Sequence, residues 1–294
     1  MQTGLRILVV ALTASWSMGC AVEGMEDEAE LDELYSFGSF AEPIIFVHGC
    51  TPPNLTDVDA AHLFDPLKQF AADEEHYPAN YLVTFINNGP QCQSTHAFAQ
   101  QLSTLVNQVR AATGEAKVDI VAHSMGALAA RLYIAKYGGA AYVEDLVTIG
   151  GGDHGSVTAV QGVPLQQAFG YPAFEGMQEM YPPYACKGQT SGQPTADVQY
   201  DLNGCLTPSG RTVSRDETPG SVSYRAIWND LDEIAVPAQT GCLNQTRQND
   251  CGSSVNFRVS VPAGPCFMGV CPGHLNMLWD DVVMEEVLER TYDD

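Results

Sequence analysis

The feature that most constrains the fold of this chain is one continuous pattern, KVDIVAHSMGALAARLYIAKYG, at residues 117–138. Its first part is a short apolar, β-branched run that ends at His123, and its last part places Leu128 and Leu132 at helical spacing. Only Ser124 separates the two parts. A strand that turns sharply into a helix at a serine is typical of a nucleophile elbow, which projects the hydroxyl above the end of a sheet.

Small neighbours support this interpretation of Ser124. A sharp turn requires small residues two places before and two places after the serine, and Ala122 and Gly126 occupy those positions. The first amides of the following helix, beginning at Met125, then face any negative charge that forms beside the hydroxyl. In the alternative interpretation Ser124 only caps the helix, which is compatible with the same local structure.

A serine nucleophile needs a base, and chain order selects a candidate. In a sheet protein with an elbow the order is serine, then acid, then histidine. Of the seven histidines only His274 follows the last two predicted strands, in the Pro-Gly loop CPGHLNMLW before the final predicted helix. The sequence therefore predicts His274 as the general base.

The acid is expected just beyond the predicted strand YRAIW, in the segment NDLDEIAVP. Asp230, Asp232 and Glu233 all lie there. Asp230 follows the strand so closely that binding the turn would explain it, whereas Asp232 lies further into the loop. We therefore expect Asp232 to orient the histidine, with Asp230 as the alternative.

A second oxyanion donor is expected in the loop after the first strand, FVHGC, where the amide of Cys50 would converge with that of Met125. His48 precedes the serine in the chain, so a role in bracing this loop is expected. His123 is expected to face the opposite side of the elbow, in packing and hydrogen bonding. A structural role is also expected for the glycine-rich segment GGGDHGS at 150–156.

Short apolar runs alternate with helical patterns along the chain, which predicts an α/β fold with a mostly parallel sheet of about six strands covered by helices on both faces. The predicted strands are PIIFVHG from Pro43, NYLVTFI from Asn80, KVDIVAH from Lys117, VEDLVTIG from Val143, SYRAIWN from Ser223 and VNFRVSV from Val255. The predicted helices span residues 59–72, 94–112, 125–137 and 276–290.

Residues 153–222 interrupt the alternation with a stretch rich in Gly, Pro, Gln and Tyr. A long irregular segment inside a compact domain is usually functional or disordered. Because it leaves the carboxyl end of a strand, where ligands bind in such sheets, we expect a cap-like insertion or lid over the site. The alternative is a surface excursion held by Cys186 and Cys205.

The N-terminus predicts export. Residues 1–19 carry one Arg, an apolar stretch and small residues before Cys20, as in a signal peptide. Residues 20–42 are acidic and lack apolar periodicity, which predicts a solvated tether before a domain at 43–294. The segment before Cys20 suits both a lipoprotein signal, which would give a lipid anchor at Cys20, and ordinary signal cleavage.

Cysteine content also favours an oxidising compartment. Apart from Cys20 there are eight cysteines, an even set that predicts disulfides. Eight cysteines allow 105 pairings, and proximity in the sequence suggests Cys50 with Cys92, Cys186 with Cys205, Cys242 with Cys251, and Cys266 with Cys271. No cysteine or histidine spacing typical of zinc occurs, so no metal is expected.

The charge balance argues against nucleic-acid binding. The 13 basic and 36 acidic residues give a formal net charge of −23, and the calculated pI is near 4.4. Such a surface repels phosphate backbones and anionic membranes. A lipid anchor at Cys20 is therefore the only membrane association that we expect.

The motifs together resemble a known family. VHG after the first strand, VDIVAHSMG, LVTIGG, an Asp shortly after AIW, and GH before the last helix are similar to the small secreted bacterial lipases of the α/β-hydrolase superfamily, lipase class 2, which carry Ala-His-Ser-Met-Gly. The resemblance runs from about residue 43 to 290 and is close at 117–152. It implies hydrolysis of carboxylic esters by Ser124, Asp232 and His274, with the amides of Cys50 and Met125 as oxyanion hole.

Two features depart from the family pattern. The small lipases have little over their active site, unlike the insertion expected here, and their oxyanion residue in the first loop is commonly aliphatic rather than Cys50. Larger bacterial lipases with HSMG carry calcium, but QYDLNGCLTPSG from Gln199 lacks the first Asp and last Glu of an EF-hand loop.

We therefore expect an exported monomeric serine hydrolase that acts on a lipid or another ester without a cofactor. A polyester depolymerase or thioesterase would use the same residues, because the fold does not fix the substrate. A hypothesis of another class is a surface binding protein on a hydrolase scaffold, against which the intact chain order of the triad argues.

Overall fold

The computed structural model describes residues 42–50, 60–87, 92–158, 175–187, 196–264 and 273–292. The strands along these residues are β1 (Ile44–Val47), β2 (Leu82–Thr84), β3 (Val118–His123), β4 (Val143–Ile149), β5 (Gly204–Thr207), β6 (Gly210–Ser214), β7 (Ser223–Asn229) and β8 (Asn256–Val259). The helices are α1 (Asp65–Glu74), α2 (Thr95–Thr113), α3 (Met125–Lys136), α4 (Glu175–Glu179), α5 (Ala196–Asn203), α6 (Gly273–Asn276) and α7 (Asp281–Tyr292). The predicted signal peptide and residues 20–41 of the tether lie outside the described residues.

Six strands form one parallel sheet in the order β2-β1-β3-β4-β7-β8, so the predicted sheet is confirmed. The chain runs from β1 outward to β2 and then returns to the other side of β1 as β3. Ligands bind at the carboxyl ends of strands beside such a reversal. Cys50 follows β1 there, and Ser124 follows β3.

Both faces of the sheet are buried, as the apolar strands require. Within β1, Ile45 and Val47 contribute to the core under α2 and α3. Ile44 and Phe46 contribute to the opposite core, under α1 and α7. This alternation with a period of two gives two apolar layers that hold β1 and β3 rigidly, so their carboxyl ends are fixed positions for functional groups.

The final helix differs from the prediction, which began it at residue 276. The short helix α6 and a 3-10 turn at Met277–Trp279 precede it, and α7 begins only at Asp281. Asp280 has an extended backbone, and its carboxylate accepts a hydrogen bond from the amide of Val283. Asp is a favoured residue at the cap of a helix, so Asp280 stops the preceding turn and starts α7. His274 consequently lies within α6 rather than in an open loop.

The insertion contains regular structure that the sequence pattern did not predict. Its described parts form α4, α5 and an antiparallel hairpin of β5 and β6. Pro208 and Ser209 form the hairpin turn, which suits residues of that type. Each element is short, and short elements leave little periodicity to detect.

Three disulfides join Cys50 to Cys92, Cys186 to Cys205 and Cys242 to Cys251, which confirms three predicted pairs. The fourth predicted pair, Cys266 with Cys271, lies outside the described residues. Disulfides of this number are typical of proteins that fold in an oxidising compartment. In the described part of the chain, no helix has the length and apolar character to cross a membrane.

Candidate active site

The turn at Ser124 has the strained geometry of an elbow. The backbone of Ser124 has a φ of 57° and a ψ of −130°, and the residue lies between the last residue of β3 and the first of α3. A positive φ is uncommon for a residue with a side chain and persists only when the surroundings enforce it. Here the amide of Ser124 donates to the carbonyl of Ile149 in the neighbouring strand.

Gly126 explains why the elbow needs a glycine. A Cβ atom at Gly126 would lie 2.6 Å from the carbonyl oxygen of His48 and 2.7 Å from that of Val47. Both contacts are with rigid backbone at the end of β1, so no side chain fits between helix α3 and this strand end. The elbow helix thereby packs directly against the loop that carries Cys50.

His274 and Asp232 form a buried pair beside the elbow. The Nδ1 atom of His274 lies 2.7 Å from Oδ2 of Asp232, and their side chains are 5% and 1% exposed. The other oxygen, Oδ1, accepts hydrogen bonds from the amides of Ile234 and Ala235, each at 2.8 Å. Burial by itself would raise the pKa of Asp232, but the His274 ring and the two amides outweigh it and hold this pKa below its usual value.

Asp230, the alternative acid, lies elsewhere. Its carboxylate pairs with Arg258, whose Nε atom is 3.0 Å away. The amide of Asp230 donates to the carbonyl of Val259, so the residue binds the start of the turn. The structure therefore brings Asp232, and not Asp230, to His274.

The second ring nitrogen of His274 does not contact Asp232. Its Nε2 atom is buried and has no hydrogen-bond partner among the described residues. The ring packs over Gly150, where an added Cβ would lie 3.1 Å from Nδ1. Gly150, with a φ of 55°, follows β4 next to the elbow strand β3.

The predicted oxyanion residues flank the serine. A Cβ at Gly49 would lie 2.6 Å from Cβ of Ser124, so the loop that leads to Cys50 passes directly against the serine. Met125 is the first residue of α3, and the amides of a first helical turn have no partner within the helix. Cys50 and Met125 are thus positioned on the two segments that meet at Ser124.

Two further residues hold the backbone of His274, and the sequence pattern did not single them out for this role. His123 was expected to face the opposite side of the elbow, in packing and hydrogen bonding. It does pack and form a hydrogen bond, but both contacts are with His274: its Nε2 donates to the carbonyl of His274 at 3.0 Å, and the ring centroids are 4.6 Å apart. Glu233 accepts a hydrogen bond from the amide of Gly273 at 2.7 Å. Burial, with the His274 ring beside it, lowers the pKa of His123 to about 3, so this donor stays neutral.

The segment GGGDHGS braces the acid loop, as its predicted structural role implies. The hydroxyl of Ser156 donates to the carbonyl of Ile234 at 2.5 Å and accepts from the amide of Val236 at 3.2 Å. The amide of His154 donates to the carbonyl of Thr240. Since the amide of Ile234 also donates to Asp232, this segment helps to fix the position of the Asp232 carboxylate.

No set of three or more His, Cys, Asp or Glu side chains in the described ranges could hold a metal ion.

A parallel sheet with helices on both faces and a sharp strand-to-helix turn at a serine is the architecture of the α/β-hydrolase fold. Residues 41–179 match the sequence model of the family described as Lipase (class 2). This segment, just under half of the chain, includes β1, the elbow and α4. The match confirms the resemblance of this segment to that family.

Solved structures to which this chain is similar include Aspergillus fumigatus lipase B, with 19% identity over 40% of this chain and 26% of that chain and a TM-score of 0.32. The lin2722 gene product of Listeria innocua has 14% identity over 85% of this chain and 93% of that chain, with a TM-score of 0.46. The mature lipase BlEst2 of Bacillus licheniformis has 15% identity over 75% and 82% of the two chains, with a TM-score of 0.40. The chain thus spans about a quarter of the Aspergillus enzyme. No curated protein matches the sequence.

Proposed function

We propose that the protein is an exported lipase that hydrolyses lipid esters through Ser124, His274 and Asp232. The observation that carries this proposal is the buried contact of 2.7 Å between His274 and Asp232, beside a serine in strained elbow geometry. A buried histidine with one nitrogen fixed by a carboxylate and the other unpartnered is arranged to accept a proton.

The reaction proceeds in two halves. Nε2 of His274 takes the proton from the Ser124 hydroxyl as its oxygen attacks the ester carbonyl. The carbonyl oxygen becomes an oxyanion, which accepts hydrogen bonds from the amides of Cys50 and Met125. As the ester bond breaks, His274 returns the proton to the leaving alcohol and an acyl group remains on Ser124. Water, activated by the same nitrogen, then releases the carboxylic acid.

Asp232 keeps the imidazole in the required tautomer. Its Oδ1 is held by the Ile234 and Ala235 amides, so Oδ2 is aimed at Nδ1 and the proton of the neutral ring is confined to that nitrogen. The carboxylate also stabilises the imidazolium that forms in each half-reaction.

The insertion, residues 153–222, forms the cap of the site in this proposal. Gly176 of α4 lies against Met125, since an added Cβ would be 2.5 Å from its sulfur. Met180, just after α4, lies against Gly152 in the same way, at 3.2 Å. These contacts support a cap over the oxyanion side of the elbow rather than an excursion away from it.

The test is hydrolysis of p-nitrophenyl esters from acetate to palmitate by the wild type and Ser124→Ala. We expect activity that extends to long chains and falls by at least about a thousandfold in the variant. Activity confined to short chains would replace the lipase with an esterase. A folded wild-type protein that hydrolyses none of these esters, or hydrolyses them equally well with Ser124→Ala, would overturn the proposal.

Export and anchoring have a separate measurement. The mass of the mature N-terminus distinguishes a diacylated Cys20 from simple signal cleavage. An unprocessed N-terminus on the protein recovered from cells that express it would contradict export.

A further inference from the structure

The most informative feature beyond the triad is the environment of Cys92, where three segments around the proposed oxyanion hole meet. Cys92 is 2% exposed and forms a disulfide with Cys50, whose amide is one proposed oxyanion donor. Its carbonyl oxygen accepts a hydrogen bond from the amide of Gly176 in α4, at 3.0 Å. Cys92 also lies three residues before the first residue of α2.

The position of α2 is fixed relative to the elbow. Ser94 caps the helix by accepting a hydrogen bond from the amide of Ala97. Helix α2 packs along the elbow helix α3, and Leu102 and Val106 share one buried core with Leu128 of α3. A group bonded to the start of α2 is therefore held in the same rigid unit as Met125.

The loop from His48 to Cys50 is attached to this unit at two points. The buried ring of His48 lies 5.8 Å from the ring of Phe98 in α2, in an edge-on contact. The second point is the disulfide between Cys50 and Cys92. Packing alone fixes only the base of the loop, whereas the covalent bond fixes the residue that carries the donor.

Helix α4 of the insertion contacts both the start of α2 and the start of α3. Glu179 of α4 is 7% exposed and accepts a hydrogen bond from the amide of Thr95, at 2.7 Å. Burial raises the pKa of Glu179 even though that donor opposes the shift. At Gly176 an added Cβ would lie 2.5 Å from the sulfur of Met125 and 2.6 Å from the carbonyl oxygen of Gln93. Helix α4 therefore contacts both Met125 and Cys92, the disulfide partner of Cys50.

We propose that Cys92 is a positioning residue of the reaction, which holds the Cys50 amide at the oxyanion through the disulfide and transmits the docking of α4 to it. This inference rests on the proposed function, because it assigns Cys50 to the oxyanion hole. An oxyanion donor acts only when it is fixed within a fraction of an ångström of the charge that develops. Loosening it weakens binding of the transition state more than binding of the ester.

The test compares the double variant Cys50→Ala, Cys92→Ala with a matched control, Cys186→Ala, Cys205→Ala, which removes the disulfide within the insertion. Hydrolysis of p-nitrophenyl butyrate gives kcat and KM, and inhibition by a phenylboronic acid reports binding of a tetrahedral adduct on the serine. We expect kcat of the test variant to fall by about ten- to a hundredfold with KM within about threefold, and the boronate Ki to rise by a similar factor to the fall in kcat. The control is expected to keep kcat and Ki within about twofold of wild type.

A folded test variant with wild-type kcat and boronate Ki would overturn the inference while leaving the proposed function intact. An equal loss in the control would do the same, because the effect would then be general destabilisation. A wild type that neither hydrolyses the ester nor binds the boronate would instead remove the proposed function.

A second variant decides the question where the double variant does not fold. Gly176→Ala keeps all three described disulfides but must displace α4 from Met125 and Gln93. Its control is Gly252→Ala, where an added Cβ would meet only the side chain of Asp250, at 3.3 Å. We expect Gly176→Ala to lower kcat at nearly constant KM and Gly252→Ala to leave both unchanged. Wild-type kcat in Gly176→Ala would contradict the role of Cys92.

Discussion

At the scale of single residues, a displacement of two positions separates two different roles in the loop after β7. Asp230 donates its amide to Val259 and pairs with Arg258, so it belongs to the turn. Asp232 lies one turn further, where its own amide donates to the carbonyl of Asn229 and its carboxylate reaches His274. The difference follows from the direction of the backbone and not from the chemistry of the side chains, which are identical.

This difference gives the first prediction at this scale. Asp232→Asn retains the shape of the side chain but removes the charge that orients His274. We expect kcat on p-nitrophenyl butyrate to fall by about a thousandfold or more at neutral pH, as loss of tautomer control requires. Asp230→Asn is the matched control and is expected to stay within about twofold of wild type. Equal activities in the two variants would contradict the assignment of the acid.

His123, which is buried, and Glu233, which is exposed, show how polar residues can support a site without taking part in its chemistry. The carbonyl of His274 and the amide of Gly273 would lack these partners if His123 and Glu233 were apolar. A buried backbone group without a partner costs about 1–3 kcal/mol. The two contacts therefore stabilise the position of His274 at both sides of its Cα atom.

At the scale of elements, the insertion is fixed to the domain by a buried ionic network around Glu217. This carboxylate lies between β6 and β7, is 2% exposed, and contacts His154, Arg211 and the amide of Asn244. Arg131 of the elbow helix joins the network through Asp153 and Asn203. The network thus links the insertion to α3 and to the loops after β4 and β7.

The network predicts how stability depends on acid pH. Burial opposes ionisation of Glu217, but His154, Arg131 and Arg211 outweigh it and lower the pKa of Glu217 to about 2, from 4.5. A depressed pKa stabilises the folded state above pH 4.5, and this contribution is lost as the pH falls from 4.5 to 2. We expect Glu217→Gln to reduce the free energy of unfolding by about 2–3 kcal/mol at pH 6, and by much less near pH 2.5.

Urea denaturation at several pH values measures this effect. Glu285→Gln, a matched change at an exposed position of α7, is expected to leave the free energy of unfolding within about 0.5 kcal/mol at every pH. A Glu217→Gln penalty that is the same at pH 6 and pH 2.5 would contradict the ionic role of Glu217.

At the scale of the whole molecule, the net charge of −23 is the dominant feature. Like charges repel across the surface and oppose the compact state, and salt screens them with a Debye length of about 10 Å at 0.1 M. Such repulsion acts on the folded domain as a whole, so no single ion pair accounts for it.

Salt should therefore stabilise the protein in a way that depends on pH. At pH 7 we expect Tm to rise by a few degrees between 10 mM and 300 mM NaCl, measured by differential scanning fluorimetry. Near the pI of about 4.4 the net charge vanishes, and the same change in salt is expected to have little effect. An equal rise at both pH values would point to a general salt effect and contradict the role of net charge.

The sequence by itself determined those features that depend on local patterns. The six strands of the sheet were predicted because each is a continuous apolar run, and the elbow because Ala122, Ser124 and Gly126 follow a rule of spacing. Three disulfides followed from nearness in the chain. These features are encoded within a few residues or by a fixed order along the chain.

Only the tertiary structure decided what depends on contacts between distant segments. The choice between Asp230 and Asp232 as the partner of His274, the support of His274 by His123, and the contact of Gly176 with Cys92 each depend on residues 42 to 151 positions apart. The sequence pattern also did not predict the start of α7 or the hairpin of the insertion, because a helix-capping residue or a short strand has too few residues to show a periodic pattern. Packing of the sheet brings these groups together, since parallel strands place all their carboxyl ends at one edge.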